Sequence, residues 1–132
     1  MASEEVIYDG LNLTFLAAFP EFNDACKREF DYWDDWNDPP GIYLILAMVV
    51  FPRLVSLLDT GEEQELTWRL FEFFEKMACS TERSVKDVLG IEVVDKLVHD
   101  PVRLQKAWPH MGNEMKAVTK GAAKTFGIQI EL

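Results

Sequence analysis

The two histidines are the first residues to consider for catalysis, because imidazole is a common metal ligand and general base. The sequence holds only His99 and His110. The string VHD at 98–100 is typical of the His-Asp pair of metal phosphohydrolases, but such sites need further histidines, which this chain lacks. Asp95 and His99 lie one helical turn apart. An ion pair between them, followed by Asp100 as a helix N-cap, explains this spacing without a metal.

Neither the cysteines nor any short motif indicates a reaction. Cys26 and Cys79 are the only cysteines and form no CxxC pair, which excludes a zinc ribbon and a thioredoxin-type site. Each lies among apolar residues, so we expect two packed, reduced thiols. The chain also lacks GxSxG, P-loop and GxGxxG motifs and the paired Glu-x-x-His motifs of di-iron bundles. The sequence therefore predicts no catalytic residue, no cofactor and no metal site.

The segment EFDYWDDWNDPPG at 29–41 combines five acidic and four aromatic side chains. We predict a helix over about 21–36, because apolar residues then share one side of it and polar residues the other. The apolar side consists of Phe22, Cys26, Phe30, Trp33 and Trp36. The polar side consists of Asp24, Lys27, Asp31, Asp34 and Asp35.

The C-terminal end of this predicted helix is crowded with the carboxylates of Asp31, Asp34, Asp35 and Asp38. The helix dipole disfavours an anion at that end by about 0.3–1 kcal/mol, and repulsion at i+3 and i+4 adds to this cost. A cost without local compensation favours a functional explanation. The predicted partner-binding surface consists of Asp31, Tyr32, Asp34, Asp35, Trp36 and Asp38. The alternatives are solubility, helix capping into the prolines at 39–40, and metal capture.

Other charged groups allow a pocket or a second contact. Glu29 falls at the centre of the apolar side, where a buried carboxylate needs a partner. We expect a salt bridge to Arg53 or Arg69; the alternative is a pocket lined by Glu29, Glu75 or His110. Lysines at 116, 120 and 124 recur on one side of the last predicted helix. They form a solvated face or a contact with an oppositely charged surface.

The charge of the chain is negative and unevenly distributed. The formal net charge of the 132 residues is −10. Residues 1–38 hold ten acidic and two basic side chains, whereas residues 39–132 hold thirteen and eleven. This disfavours nucleic acid as a partner, because phosphate binding needs a basic surface, and it favours a basic protein. The start of the chain at Met1 has no signal-like pattern, so we expect a cytoplasmic protein.

Helical periodicity dominates and predicts an all-α fold, a single domain over 1–132 with six or seven helices. The predicted helices cover 11–19, 21–36, 40–58, 62–79, 82–99, 101–107 and 113–126. We expect a bend or break at Gly90 and a kink at Pro52. The apolar run at 42–51 is too short to span a bilayer, so it is expected to be buried, without membrane insertion. The stretch 62–79 is apolar on two sides, which favours stacked helix pairs, HEAT-like or as an irregular bundle.

Two strings, LFEFFEKMACSTERSVKDVLGIEVVDKL at 70–97 and WPHMGNEMK at 108–116, resemble a family of small, uncharacterised bacterial all-α domains. The matching positions are Phe71, Phe74, Glu75, Val85, Val88, Val94, Asp95, Leu97, Met111 and Gly112. Asp95 stands where that pattern has glutamate. Such domains are similar in size and character to immunity proteins of bacterial toxin systems, and the resemblance implies that role.

Three functional hypotheses follow. The first is a cytoplasmic, non-enzymatic immunity protein whose acidic surface neutralises a basic toxin domain, with Tyr32 or Trp36 as exposed anchors. The second is a small-molecule-binding protein or an enzyme of unrecognised class, with a pocket near Glu29 and Glu75. The third is a structural subunit of a homo-oligomer.

Overall fold

The computed structural model describes residues 5–132, and within this range the chain forms seven α-helices and no β-strand. They are α1 (Leu11–Ala18), α2 (Asn23–Glu29), α3 (Ile42–Thr60), α4 (Gln64–Ala78), α5 (83–98), α6 (Pro101–Ala107) and α7 (Asn113–Thr125). Short 3₁₀ turns cover Pro20–Phe22 and Trp108–His110. The predicted all-α fold is confirmed. The prediction that the chain starts without a signal-like pattern depends mainly on residues 1–4, which lie outside the described residues.

Helices α3 and α4 lie at the centre of the domain. Helix α3 packs against α1, α2, α4, α5 and α6, and α4 packs against α3, α5 and α7. The two-sided apolar pattern of α4 explains this position: Leu70 and Phe74 are fully buried on one side, and Phe71 is fully buried on another. Trp68, which the pattern also assigns to the second side, is half exposed. The central placement of α4 is therefore confirmed, but its N-terminal part reaches the surface.

An aromatic cluster joins the N-terminal helices to α4. The ring of Phe15 stacks on Phe19 at 4.8 Å and meets Phe73 edge-on at 5.3 Å. Phe22, from the 3₁₀ turn, packs against both Phe15 and Phe19. Such aromatic pairs contribute about 0.5–1.5 kcal/mol each beyond the burial of their area. This cluster holds α1 and the start of α2 in place and so fixes where the segment after α2 begins.

Helix α3 continues through Pro52 with a π-helical turn at Leu46–Val50. Proline lacks the N–H that would bond the carbonyl four residues earlier, and its ring crowds that carbonyl. The wider π-turn immediately before Pro52 accommodates both effects. The structure thus shows a π-turn before Pro52 within one continuous helix, and the kink at Pro52 stays a prediction.

Helix α5 also contains a π-turn, at Gly90–Val94, so the helix neither ends nor breaks at Gly90. One extra residue in this turn shifts the buried face by one position. Val88 and Leu89 are followed on that face by Val93 and Val94, five positions later, and all four are fully buried, whereas Ile91 is 52% exposed. The predicted break at Gly90 was therefore wrong, and the alternative of a bend there stays a prediction.

By length and composition, α3 is the one helix within residues 5–132 that could cross a membrane. The apolar run continues beyond Pro52, so the helix reaches 19 residues instead of the ten on which the expectation was based. Its side chains nevertheless belong to the core: Ile45, Leu46, Val50 and Leu54 are fully buried. The prediction of a buried core helix is confirmed for this face.

Candidate functional site

Helix α2 ends at Glu29, so the predicted helix over 21–36 was wrong in its second half. Phe30 leaves the helical region with φ −112° and ψ 48°. Aspartate is a weak helix former, and the residues before Pro39 and Pro40 avoid helical backbone angles. Residues 30–40, here called the acidic loop, form successive turns instead. The aspartates at 31, 34, 35 and 38 lie beyond the last turn of α2, so the dipole cost expected for charges within that turn does not apply to them.

Trp33 holds the acidic loop together. Its indole Nε1–H donates to the carbonyl oxygens of Asp35 at 3.1 Å and Asp38 at 2.8 Å. Its ring is half-buried against the core. At the base of the loop, the amide of Asn12 donates to the carbonyl oxygens of Pro39 and Pro40 at 3.2 and 3.0 Å. The loop is therefore pinned at its centre and at its end.

The four aspartates of the acidic loop have different roles. The Oδ1 atom of Asp35 accepts the backbone N–H of Asn37 at 3.0 Å, which closes an Asx-turn. Asp31, Asp34 and Asp38 are exposed. Within residues 5–132, no lysine or arginine forms an ion pair with any of the four carboxylates. The loop therefore presents an uncompensated negative surface.

The two predicted aromatic anchors differ in accessibility. Tyr32 is 69% exposed and touches Phe30 and Trp33 only edge-on. Trp36 is half-buried, and the ammonium of Lys27 lies 6.0 Å from its ring centroid. Trp36 is therefore not the exposed anchor that the sequence suggested. It lines a groove instead.

This groove, here called the α1–α2 groove, borders the acidic loop and has a volume of about 320 Å³. Its lining is mainly apolar, from Leu13, Leu16, Ala17, Cys26, Trp36 and Pro39, with Asn23 and Lys27 at the rim. Leu13 is 51% exposed although it is a large apolar side chain. Sequence reasoning missed this groove, because it forms only where α1, α2 and the loop meet.

The residues proposed for a small-molecule pocket do not converge. Glu29 is exposed, and the arginines expected to pair with it bind other carboxylates: Arg53 pairs with Glu63, and Arg69 with Glu21. The expected buried salt bridge at Glu29 was therefore wrong, because this side chain, on the last residue of α2, lies exposed to solvent. Glu29 borders a shallow depression beside α3, which neither Glu75 nor His110 lines.

Glu75 has a structural role that its sequence context did not reveal. Its carboxylate accepts the backbone N–H groups of Glu114 at 3.0 Å and Met115 at 2.8 Å, in the first turn of α7. It thus caps the N-terminus of a helix that begins almost 40 residues later. Gly112 makes room for it: a Cβ atom there would lie 2.4 Å from the carboxyl carbon.

The histidines also serve packing. His110 stacks on Phe71 at 5.5 Å and meets Trp68 at 4.3 Å. Burial lowers the pKa of its imidazole, whose Nδ1 atom has no hydrogen-bond partner within residues 5–132. His99 bonds through Nδ1 to the backbone carbonyl of Asp95 at 2.7 Å, so the expected ion pair between the side chains was wrong. Residues 5–132 contain no cluster of three potential metal ligands.

The two cysteines lie in different environments. Cys26 is buried, as predicted, and burial raises the pKa of its thiol. Cys79 is exposed, because it follows the last residue of α4, so the prediction of a packed thiol there was wrong. The pKa of Cys79 is raised first by desolvation and then by the negative charges of Glu75 and Glu114. Neither thiol is activated as a nucleophile.

The lysines of α7 partly cover an aromatic ring. The ammonium groups of Lys116 and Lys120 lie 5.3 and 5.8 Å from the ring centroid of Trp108, and the side chains of Lys120 and Lys124 are exposed. Two of these three lysines, Lys116 and Lys120, therefore make cation–π contacts inside the domain itself. Asp100 caps α6 by accepting the backbone N–H of Arg103 at 3.3 Å, as predicted.

The comparisons with known proteins give one family. A family model described as a domain of unknown function, DUF7674, matches residues 12–126. No curated protein and no solved structure matches the chain. The matched range includes the acidic loop, the α1–α2 groove and the contact of Glu75 with α7. Since the match extends over most of the 132 residues, the chain belongs to the DUF7674 family.

Proposed function

We propose that this domain binds a basic protein through the acidic loop and the adjoining α1–α2 groove. One observation carries the proposal: the carboxylates of the loop have no ion-pair partner within residues 5–132, although Trp33 and Asn12 hold the loop in one conformation. A pinned loop loses little conformational entropy on binding. Negative charge that is not compensated within the domain is available to a cationic partner.

The α1–α2 groove supplies apolar contact area, which the charged acidic loop does not. Surface ion pairs contribute only about 0–1 kcal/mol each and weaken as salt is added. Burial of apolar area in a groove adds stability that salt does not screen. In this mechanism, Asp31, Asp34 and Asp38 attract the partner and orient it. An apolar side chain of the partner then packs against Leu13 and Trp36, and Tyr32 contacts the rim.

The more specific form of the proposal is an immunity protein that blocks a basic bacterial toxin domain in the cytoplasm. It is supported by the small all-α fold, the excess of negative charge and the resemblance of residues 70–116 to small bacterial domains. The acidic loop would cover a basic active-site cleft of the toxin. The mechanism needs no catalytic residue, cofactor or metal in this chain.

The test measures binding of the protein encoded by the adjacent gene, by calorimetry at about 50 and 300 mM salt. We expect binding at low salt that weakens as salt rises. The double variant Asp31→Lys, Asp34→Lys should bind at least about tenfold more weakly at low salt, because like charges then face the partner. Asp35 is left unchanged because its side chain closes the Asx-turn.

The matched control is Glu72→Lys, Glu131→Lys, which changes the net charge equally but outside the acidic loop. Both carboxylates are exposed and form no ion pair within residues 5–132. Equal loss of affinity in both double variants would show a general charge effect and contradict the proposed surface. Sedimentation of the protein alone separates the third hypothesis: a stable homo-oligomer that buries the loop would contradict docking of a partner there.

A further inference from the structure

A larger concave site lies on the other side of α2, where α2, α3 and α4 meet, and it shares Ala25, Arg28, Val49 and Arg53 with the depression that Glu29 borders. It is an open cleft of about 640 Å³, within the range of about 300–1,000 Å³ that is typical of small-ligand sites. Its apolar floor consists of Phe22, Ala25, Val49 and Leu66. Charged side chains of both signs form its walls. This cleft shares no lining residue with the α1–α2 groove.

Two ion pairs neutralise most of the charge on the walls. The guanidinium of Arg69 donates to both oxygens of Glu21, at 2.7 and 3.3 Å, and to the carbonyl oxygen of Ala18 at 2.9 Å. Arg53 pairs with Glu63. Both arginines are therefore held by acceptors of the domain itself, and they are not available as ligand-binding groups without breaking these contacts.

Two lining side chains of opposite charge remain. Arg28, on α2, and Glu65, on α4, form no ion pair within residues 5–132. Glu65 lies one turn before Arg69, but that arginine is already bound to Glu21. The lining thus combines a guanidinium on α2 and a carboxylate on α4, both without an ion-pair partner within residues 5–132, with apolar side chains.

We propose that this cleft binds a short apolar peptide with free termini. The terminal carboxylate pairs with Arg28, because a guanidinium and a carboxylate form strong charge-assisted hydrogen bonds. The terminal ammonium pairs with Glu65, and the apolar side chains cover Phe22 and Leu66. An anion alone leaves Glu65 unpaired, and a cation alone leaves Arg28 unpaired, so a ligand with both charges fits the cleft best. The proposal does not depend on the acidic loop.

The probes are free leucine, Leu-Leu and Leu-Leu-Leu, titrated into ¹⁵N-labelled protein and followed by NMR. We expect saturable shifts at the amides of Ala25, Val49 and Leu66 with at least one of the three. Amidation of the best probe removes its carboxylate, and N-acetylation removes its ammonium. Each modification should weaken binding by about tenfold or more, the effect of losing a hydrogen bond to a charged group.

The variants Arg28→Gln and Glu65→Gln identify the partner of each terminus. In Arg28→Gln, amidation of the probe should cost little further affinity, whereas acetylation should still weaken binding by about tenfold. In Glu65→Gln, acetylation should cost little further affinity, and amidation should still weaken binding by about tenfold. The control is Arg83→Gln, whose side chain is 92% exposed and does not line the cleft. Absence of saturable shifts with all three probes would overturn the proposal. An undiminished cost of amidation in Arg28→Gln would also overturn it.

Discussion

At the scale of single residues, Glu75 and Gly112 act as one unit. The carboxylate of Glu75 can reach the N-terminus of α7 only because position 112 has no side chain. The resemblance to small all-α domains includes both residues among its matching positions but gives no reason why they occur together. The structure supplies the reason: Glu75 caps α7, and the absence of a side chain at Gly112 leaves room for its carboxylate. The potential functional carboxylate is therefore a structural one.

Gly112→Ala should lower the free energy of unfolding by about 1–2 kcal/mol, because the added Cβ displaces the carboxylate of Glu75 and exposes two backbone N–H groups. Glu75→Ala should cost a similar amount. The two substitutions share one mechanism, so their costs should not add. Urea denaturation of the two single variants and the double variant measures this coupling.

Gly121→Ala is the matched control for this prediction. Gly121 lies within α7, and a Cβ atom there meets nothing within 4 Å. Alanine should therefore stabilise the helix by about 0.5–1 kcal/mol. If the costs of Gly112→Ala and Glu75→Ala were additive, the displacement mechanism would be wrong.

At the scale of elements, the acidic loop is ordered by side-chain to backbone contacts instead of a helix. Three of its aromatics, Phe30, Trp33 and Trp36, share one side of a helical wheel, and these three are buried or half-buried as that wheel predicts. The backbone path differs, because Trp33 has a polar N–H as well as an apolar ring. A tryptophan beside a run of Asp, Asn and Pro was the available signal for a turn, since that N–H needs an acceptor when it is partly buried.

Trp33→Phe should keep most of the ring packing but lose both hydrogen bonds of the indole N–H. We expect a loss of about 1–2 kcal/mol in the free energy of unfolding. Amide hydrogen exchange should become faster within residues 31–38. Mass spectrometry of exchanged peptides measures the second effect directly.

Trp36→Phe is the comparison variant, because Trp36 packs in the α1–α2 groove and does not bridge the loop carbonyls. Its substitution should leave exchange in the loop nearly unchanged. Equal acceleration in both variants would mean that ring size, and not the Nε1–H of Trp33, holds the loop.

At the scale of the whole molecule, negative charge opposes stability where it is most crowded. The formal net charge is −10, and the acidic loop presents its carboxylates without ion-pair partners inside residues 5–132. Like charges raise the free energy of the compact state. If the loop exists for binding, function and stability should respond in opposite directions to the same substitution.

The variant Asp31→Lys, Asp34→Lys should therefore be more stable than the wild-type chain at low salt, by about 0.5–2 kcal/mol. The gain should shrink as salt screens the repulsion. Thermal and urea unfolding at about 20 and 300 mM salt test both parts of this expectation.

The charge-matched control, Glu72→Lys, Glu131→Lys, should gain less stability. Glu72 has Lys76 one turn further along α4, so reversing its charge replaces an attraction with a repulsion. A stability gain as large as that of the loop variant would show that total charge matters more than crowding in the loop.

Local patterns in the sequence were sufficient for the fold class, most helix ends and the core. Periodicity located α3, α4 and α5, Asp100 caps the start of α6 as predicted, and Gly61 ends α3 with φ 68°. These features depend on hydrogen bonds and side-chain spacing within a few residues, so a single stretch of sequence contains the information. The same holds for the burial of Phe22, Cys26 and Phe30.

The candidate sites depend on packing between distant segments. Glu75 and Met115 are 40 residues apart, and Arg69 and Glu21 are 48 apart, yet each pair is in hydrogen-bond contact. No local pattern specifies which arginine pairs with which carboxylate, because the sequence offers several carboxylates that could pair with each arginine. The groove beside the acidic loop and the cleft between α2 and α4 exist only after the helices pack, because their walls come from separate elements.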